Sequence, residues 1–158
     1  MPDQLKICFL DSFTLSPGDL DLSSLNELGK VQLCDRTNPT DIIARAKDAQ
    51  VLITNKCTIT SDIISRLPNL KLIQVAATGY NNIDLEAAKN YGITVCNVSG
   101  YSTESVGQHV FAMLLSYINQ VHVYNKESKN GYWSDELDFS YWHNAIPALN
   151  EMTFGIIG

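Results

Sequence analysis

LIQVAATGYNNIDLEAAKNYGITVCN, residues 72–97, contains two short apolar runs separated by a segment with the marks of a helix. The runs Leu72–Ala76 and Ile93–Asn97 are brief and almost wholly apolar, which is typical of strands buried on both faces of a parallel sheet. Between them, Asp84 is a preferred residue before the first turn of a helix, and Gly92 suits its left-handed end. The stretch therefore predicts a strand–helix–strand unit with parallel strands.

The same alternation extends toward the N-terminus. Helix signals there are Asn38 followed by Pro39 at a first helical position, and a segment that begins near Thr60 and ends at Pro68. Three more short apolar runs are predicted as strands: Lys6–Leu10, Val31–Cys34 and Val51–Thr54. This order of elements with short connections predicts an α/β fold, a doubly wound parallel sheet with the flavodoxin-like strand order.

The C-terminal third has a different character. A long helix is predicted to start at Ser102 or Thr103 and to run to about Lys126. It carries more apolar residues than one face needs, so we expect it to be buried on two sides. Residues 130–143 are polar and rich in aromatic residues, which predicts a partly ordered segment, and Met152–Gly158 is predicted as a strand that reaches a glycine.

Composition and charge restrict the class of protein. The chain has 158 residues, of which 45% are hydrophobic and 18% charged, values of a globular protein. Its net charge of −6 argues against nucleic acid and anionic membranes as partners. An anionic substrate must therefore be held by local groups, because the overall field opposes it.

The lack of a recognisable targeting signal and the spacing of the cysteines predict a cytoplasmic protein. The N-terminus lacks the basic and long apolar stretches of a secretory signal, and no run approaches the roughly 20 apolar residues of a membrane span. The four cysteines are widely spaced, without a CxxC pair or a nearby histidine at the spacing of metal ligands: Cys8, Cys34, Cys57 and Cys96. Reduced thiols and no metal site are expected.

Two segments are candidates for binding a small anion. Ala77–Gly79 follows a predicted strand, at the edge of an open α/β sheet where ligands bind, and Gly79 would let backbone N–H groups approach a carboxylate. An ordinary strand-to-helix turn explains this segment equally well. Thr54–Lys56 ends the preceding strand on the same edge, where Lys56 is either a positive charge for the substrate or a solvated surface lysine.

Histidines and glycines give weaker signals. His109 and His122 belong to the apolar helix and are expected to be structural, while His143 has no recognisable partner. The run from Gly155 to Gly158 holds at most the first glycine of a dinucleotide-binding loop. None of these residues is assigned a catalytic role.

Several segments occur together in the order found in one family. They are Ile53–Lys56, Ala76–Ala88, Gly92–Val98, Tyr101–Val106 and Gly155–Gly158. Together they resemble the D-isomer-specific 2-hydroxyacid dehydrogenases, above all the glycerate dehydrogenase (hydroxypyruvate reductase) branch, with phosphoglycerate dehydrogenase next. The resemblance covers nearly the whole chain.

The resemblance implies two domains with the active site in the cleft between them. Residues 1–98 correspond to the substrate-binding domain. Residues 99–158 correspond to a linking helix, which in the family also packs against a second subunit, and to the start of the NAD-binding Rossmann domain. A homodimer is therefore expected, and Met152–Gly158 would be the first strand of the cofactor domain.

The resemblance also implies roles for individual residues. Ala77, Thr78 and Gly79 match the loop whose backbone amides hold the substrate carboxylate, and Asn55 and Lys56 match positions that face the substrate. Further matches concern the cofactor and the hinge between domains: Thr78 near the cofactor, Val106 on the nicotinamide side of the cleft, Gly158 in the cofactor loop, and Asn97 and Val98 at the hinge.

The activity implied is NAD-dependent reduction of hydroxypyruvate or glyoxylate, or oxidation of D-glycerate, with NADP as the alternative cofactor. The family's catalytic arginine, acidic residue and histidine correspond to positions after 158, so the 158-residue chain by itself is expected to be inactive. One competing interpretation is a non-catalytic nucleotide-sensing or dimerisation module of this fold. Another is a flavodoxin-like domain that binds a flavin or accepts a phosphoryl group, which Asp11 alone, without a second acidic residue beside it, supports poorly.

Overall fold

The computed structural model describes residues 4–138 and 140–157. The chain divides into two compact units, Met1–Tyr101 and Ser102–Gly158. The domain boundary predicted between residues 98 and 99 stays a prediction. No helix in the described residues has the length and apolar content needed to cross a bilayer.

The first unit is built on a five-stranded parallel sheet with the order β2-β1-β3-β4-β5, which confirms the flavodoxin-like order. The strands are β1 (Lys6–Phe9), β2 (Lys30–Leu33), β3 (Val51–Thr54), β4 (Leu72–Val75) and β5 (Thr94–Cys96). The bounds of β3 match the prediction, and every other strand end differs by at most one residue, mostly because apolar residues continue past the paired ones. Leu10, for example, is fully buried although it follows β1.

Three short helices connect the strands: α1 (Ile42–Ala46), α2 (Ser61–Ser65) and α3 (Leu85–Asn90). Asp84 accepts a hydrogen bond from the N–H of Ala87, so the predicted cap forms, and the Thr60 side chain accepts from the N–H of Ile63 at the predicted start of α2. Asn38 does not cap its helix, because its amide donates to the Asp41 carboxylate instead (3.3 Å). Short 3₁₀ segments occur at Ser12–Thr14, Ser23–Glu27, Pro39–Asp41 and Leu149–Glu151.

The main core lies between the sheet and helices α1, α2 and α3. Leu52 and Ile73 of the central strands pack there against buried residues of the helices, such as Ile42 and Ile64. The opposite face of the sheet carries a smaller cluster of Ile7, Phe9 and Ile53. Both faces of the sheet are thus covered, and the connecting loops lie at the two ends of the strands.

The second unit departs from the prediction in its helices. The expected single helix is two, α4 (Thr103–Asn119) and α5 (Val121–Lys129), because Gln120 adopts a left-handed conformation (φ 46°) that interrupts the helical ladder. A third helix, α6, spans Tyr132–Asp135. Within the single chain α4 is largely exposed, since Ile118 is its one buried residue and Tyr117 is 82% exposed, so burial of this helix on two sides stays a prediction.

Residues 152–157 do not form the predicted strand. A strand requires a hydrogen-bonded neighbour, and the described part of the second unit contains no other strand. Phe154, Ile156 and Ile157 therefore have exposed side chains instead of forming part of a sheet.

The four free cysteines differ in burial, which gives a testable order of reactivity. Cys96 is exposed and Cys57 is half-buried, while Cys8 and Cys34 are buried. Burial raises the pKa of the Cys8 thiol to about 12, so the reactive thiolate is scarce near neutral pH. We expect iodoacetamide at pH 8 to alkylate Cys96 first and to leave Cys8 unmodified in the folded chain, as followed by peptide mass spectrometry. Alkylation of Cys8 as fast as Cys96 would contradict this packing.

Candidate functional site

Two loops meet at the carboxyl ends of β3 and β4. The strands are neighbours with Thr54 beside Val75, and the N–H of Ala76 donates to the Thr54 carbonyl (2.8 Å). Neighbouring strands lie about 4.8 Å apart, so the loops that follow them are adjacent. We call residues 54–56 and 77–79 together the carboxyl-end rim. Ligands of open α/β sheets bind at this edge.

The second rim loop has free backbone donors. Thr78 and Gly79 are exposed and Ala77 is half-buried. In the part of the chain that the structure describes, no group accepts a hydrogen bond from the backbone N–H of Ala77, Thr78 or Gly79. These N–H groups are therefore available to an external acceptor such as a carboxylate.

Gly79 is not required by the fold. Its φ lies outside the left-handed region, and an added Cβ would meet the Asn81 Oδ1 atom at 3.6 Å, an ordinary contact. Glycine at this position is therefore explained by neither backbone conformation nor internal packing, which favours the interpretation as a ligand loop over that of an ordinary turn.

The carbonyl groups and the hydroxyl group of the same loop form hydrogen bonds that hold it in position. The N–H of Val98 donates to the Ala77 carbonyl (3.0 Å), and the Asn97 side chain donates to the Thr78 carbonyl (2.8 Å). The Thr78 hydroxyl donates to the Val98 carbonyl (3.0 Å). The loop is thus held by the segment 97–98, while its N–H groups stay free.

The first rim loop is organised by a residue whose role the sequence did not reveal. Asp11 follows β1 and is buried, with 3% exposure. Its carboxylate accepts hydrogen bonds from the N–H groups of Asn55 (2.9 Å), Lys56 and Cys57 (3.1 Å), and from the Thr54 hydroxyl (3.3 Å). An acidic residue directly after an apolar strand was the available signal, but its partners lie more than 40 positions away along the chain.

The side chains of Asn55 and Lys56 differ in whether they can bind a ligand. The Asn55 amide donates to the Thr14 hydroxyl (3.0 Å) and carbonyl (3.3 Å), so its NH₂ group is already engaged. Lys56 is exposed and takes part in no ion pair among the described residues. Beside it lies a cavity of about 320 Å³, which Arg36 and Cys57 also line. The rim therefore has free amides on one side and a free positive charge on the other.

The remaining predicted residues lie elsewhere. Val106 belongs to α4 in the second unit and is 56% exposed, and Gly158 lies outside the described residues. His109 and His122 are exposed on α4 and α5.

The expectation that His143 lacks a partner is wrong. Its Nε2 atom lies 2.7 Å from a carboxylate oxygen of Glu127, and its ring stacks on Tyr124. Helix α5 and the aromatic segment after α6 bring these residues together across 16 positions of sequence, which no local pattern indicates. The imidazole of His143 is therefore bound to the Glu127 carboxylate, within the second unit.

Comparison with known proteins agrees with the fold. Residues 7–154 match the family described as D-isomer specific 2-hydroxyacid dehydrogenase, catalytic domain. The hydroxypyruvate reductase of Blautia hydrogenotrophica is 38% identical over 157 residues, which are 98% of this chain and 49% of that protein. The glycerate dehydrogenase of Methylorubrum extorquens is 31% identical over 153 residues, 97% of this chain and 48% of that protein.

A solved structure has a similar fold. The acyclic imino acid reductase Bsp5, in complex with NADPH and D-Arg, superposes with a TM-score of 0.68 at 26% identity, covering 80% of this chain and 41% of that chain. The chain spans about half the length of the curated relatives that it matches. With a family match over most of its residues and relatives above 30% identity, the chain belongs to the D-isomer-specific 2-hydroxyacid dehydrogenase family.

Proposed function

We propose that this chain supplies the substrate-binding part of an NAD(P)-dependent dehydrogenase that acts on a small 2-hydroxy or 2-keto acid. The observation that carries the proposal is that the N–H groups of residues 77–79, at the carboxyl-end rim, have no acceptor among the described residues. The names of the relatives, hydroxypyruvate reductase and glycerate dehydrogenase, support hydroxypyruvate, glyoxylate and D-glycerate as candidate substrates.

The rim can bind a carboxylate by two complementary means. The N–H groups of Thr78 and Gly79 donate hydrogen bonds to its oxygens, and hydrogen bonds to a charged acceptor are worth about 1.5–3 kcal/mol each. Lys56 adds a positive charge, which a chain of net charge −6 needs in order to attract an anion. Asn55 and Asp11 keep the loop that carries Lys56 in place.

A nicotinamide cofactor would supply or accept the hydride. Thr78 and Val106 are exposed and so accessible to it, and we propose that they contact it, together with Gly158. The NADPH complex of Bsp5 supports a nicotinamide dinucleotide, and we propose NAD with NADP as the alternative. The exposed apolar residues of α4 support the proposed homodimer.

Removing the charge of Lys56 should weaken substrate binding. Because the Lys56 side chain is exposed and its N–H rather than its ammonium binds Asp11, Lys56→Gln should leave the fold unchanged. We expect the Kd for D-glycerate, measured by NMR titration of the chain, to rise about three- to tenfold. Lys89→Gln, an equal change of charge on α3, is the control, and an equal effect of both variants would argue against a role for Lys56.

The activity is tested by joining this chain to the remaining half of the Blautia hydroxypyruvate reductase, with which it aligns over 98% of its length. We expect the chimera to oxidise NADH only when hydroxypyruvate or glyoxylate is present. The 158-residue chain without that half should show no turnover. A chimera that is folded by circular dichroism, binds NADH and reduces neither acid would contradict the proposal.

A further inference from the structure

A positively charged surface lies near the amino ends of strands β1 and β2, whereas the carboxyl-end rim lies at the other end of the strands. A cavity of about 420 Å³ opens between strands β1 and β2 and helix α1, with Lys6 and Lys30 at the first positions of their strands. Arg45 and Lys47 line it as well, whereas Asp48 is the single acidic residue in its lining. We call it the basic groove. It gathers four of the chain's 11 lysines and arginines.

The arrangement of two of these lysines is unfavourable in the free chain. Lys6 and Lys30 are register partners on neighbouring parallel strands, so their side chains leave the sheet on the same face. Like charges directly opposite each other in a sheet are destabilising. In residues 4–138 and 140–157, no lysine of the groove forms a salt bridge. With one carboxylate, that of Asp48, against these cations, the groove carries an excess of positive charge.

The chemistry of the available groups indicates the kind of anion. The Arg45 guanidinium already donates to the Arg36 carbonyl (2.7 Å) and the Thr37 hydroxyl (2.9 Å). Both bonds use the Nη1 atom, so the guanidinium is engaged on one side, whereas the ammonium groups of Lys6, Lys30 and Lys47 form no ion pair among the described residues and can bind a phosphate as point charges. The Cys8 thiol, which also lines the groove, adds no negative charge at neutral pH, because burial raises its pKa to about 12.

We propose that the basic groove is a binding site for a small phosphorylated molecule that carries at least two negative charges. The groove's volume lies in the range of small-molecule sites. Val31, Ala44 and Ala49 provide apolar surface for the carbon part of such a ligand. The site stands apart from the carboxyl-end rim, so the inference does not depend on the proposed function.

Calorimetric titration of the 158-residue chain with pyrophosphate, at constant ionic strength, tests the site. We expect saturable binding to one site per chain, and we expect the double variant Lys6→Gln/Lys30→Gln to raise the Kd at least about tenfold. Lys47→Gln, in the turn after α1, should weaken binding independently of any change in the strands. The control double variant Lys71→Gln/Lys89→Gln removes the same charge outside the groove and should bind like the wild type.

Four results would overturn the proposal. The first is the absence of saturable heat, and the second is an equal loss of affinity in both double variants while all proteins remain folded by circular dichroism. The third is citrate binding as tightly as pyrophosphate, and the fourth is competition between D-glycerate and pyrophosphate. Equal loss would indicate a general charge effect, and tight citrate binding would exclude preference for phosphate. Competition would place pyrophosphate on the carboxyl-end rim. Failure of the rim to bind D-glycerate would leave this test unaffected.

Discussion

Replacing Asp11 by alanine is expected to lower the free energy of unfolding by about 3–5 kcal/mol. The Asp11 carboxylate is buried and accepts hydrogen bonds from three consecutive backbone N–H groups, those of residues 55–57, and from the Thr54 hydroxyl. Alanine would remove the acceptor of the Asn55 and Lys56 N–H groups and of the Thr54 hydroxyl, while the Cys57 N–H would keep the Thr54 hydroxyl oxygen as an acceptor (3.0 Å). Urea denaturation followed by far-UV circular dichroism measures the change, with an expected decrease in the midpoint at an unchanged slope.

An exposed aspartate provides the matched control for Asp11. Asp62 forms a salt bridge with Arg66 at 3.7 Å, with both side chains more than half exposed. Exposed ion pairs contribute little, so Asp62→Ala should change stability by no more than about 1 kcal/mol. A similar loss of stability in the two variants would show that Asp11 is not the organising residue of residues 54–57.

Gly79→Ala is expected to separate binding from folding. The added Cβ meets only ordinary contact inside the chain, so we expect stability to stay within about 0.5 kcal/mol of the wild type. The same Cβ stands beside the free N–H groups of the rim, and we expect the Kd for D-glycerate to rise about tenfold or more. Thermal unfolding and NMR titration measure the two quantities on the same samples.

Gly92→Ala should behave in the opposite way. Gly92 ends α3 in the left-handed region (φ +69°), which an alanine adopts only at a cost of about 1 kcal/mol. No group of Gly92 belongs to the rim, so affinity for D-glycerate should be retained. If Gly79→Ala lost stability and kept its affinity, Gly79 would be a structural glycine and the ligand role would be wrong.

The parts of the fold that local signals control were predictable from the sequence. Short apolar runs identified all five strands, and side-chain caps at Thr60 and Asp84 fixed the starts of two helices. Gln120 was not predictable as a helix break, since glutamine is a good helix former and seldom adopts a positive φ. Residues 152–157 have the composition of a strand, but strand formation depends on a partner that composition does not reveal.

The candidate site was predictable in its position and less so in its chemistry. The rule that ligands bind at the carboxyl ends of parallel strands placed the two rim loops side by side. The sequence did not show that the Thr78 and Gly79 N–H groups have no acceptor among the described residues, or that Asn97 and Val98 bind the carbonyls and the hydroxyl of this loop. The role of Asp11 arises from long-range contacts, which a pattern of neighbouring residues does not contain.

We propose that the carboxyl-end rim binds the carboxylate of a small 2-hydroxy acid, and this binding can be measured directly. A titration of the ¹⁵N-labelled chain with D-glycerate, recorded as amide ¹H–¹⁵N correlation spectra, tests it residue by residue. We expect saturable shifts of the Ala77, Thr78 and Gly79 amides, with smaller shifts at Asn55 and Lys56 and none in α4. Rim amides that stay fixed at millimolar D-glycerate, or saturable shifts centred on another part of the sheet, would contradict it.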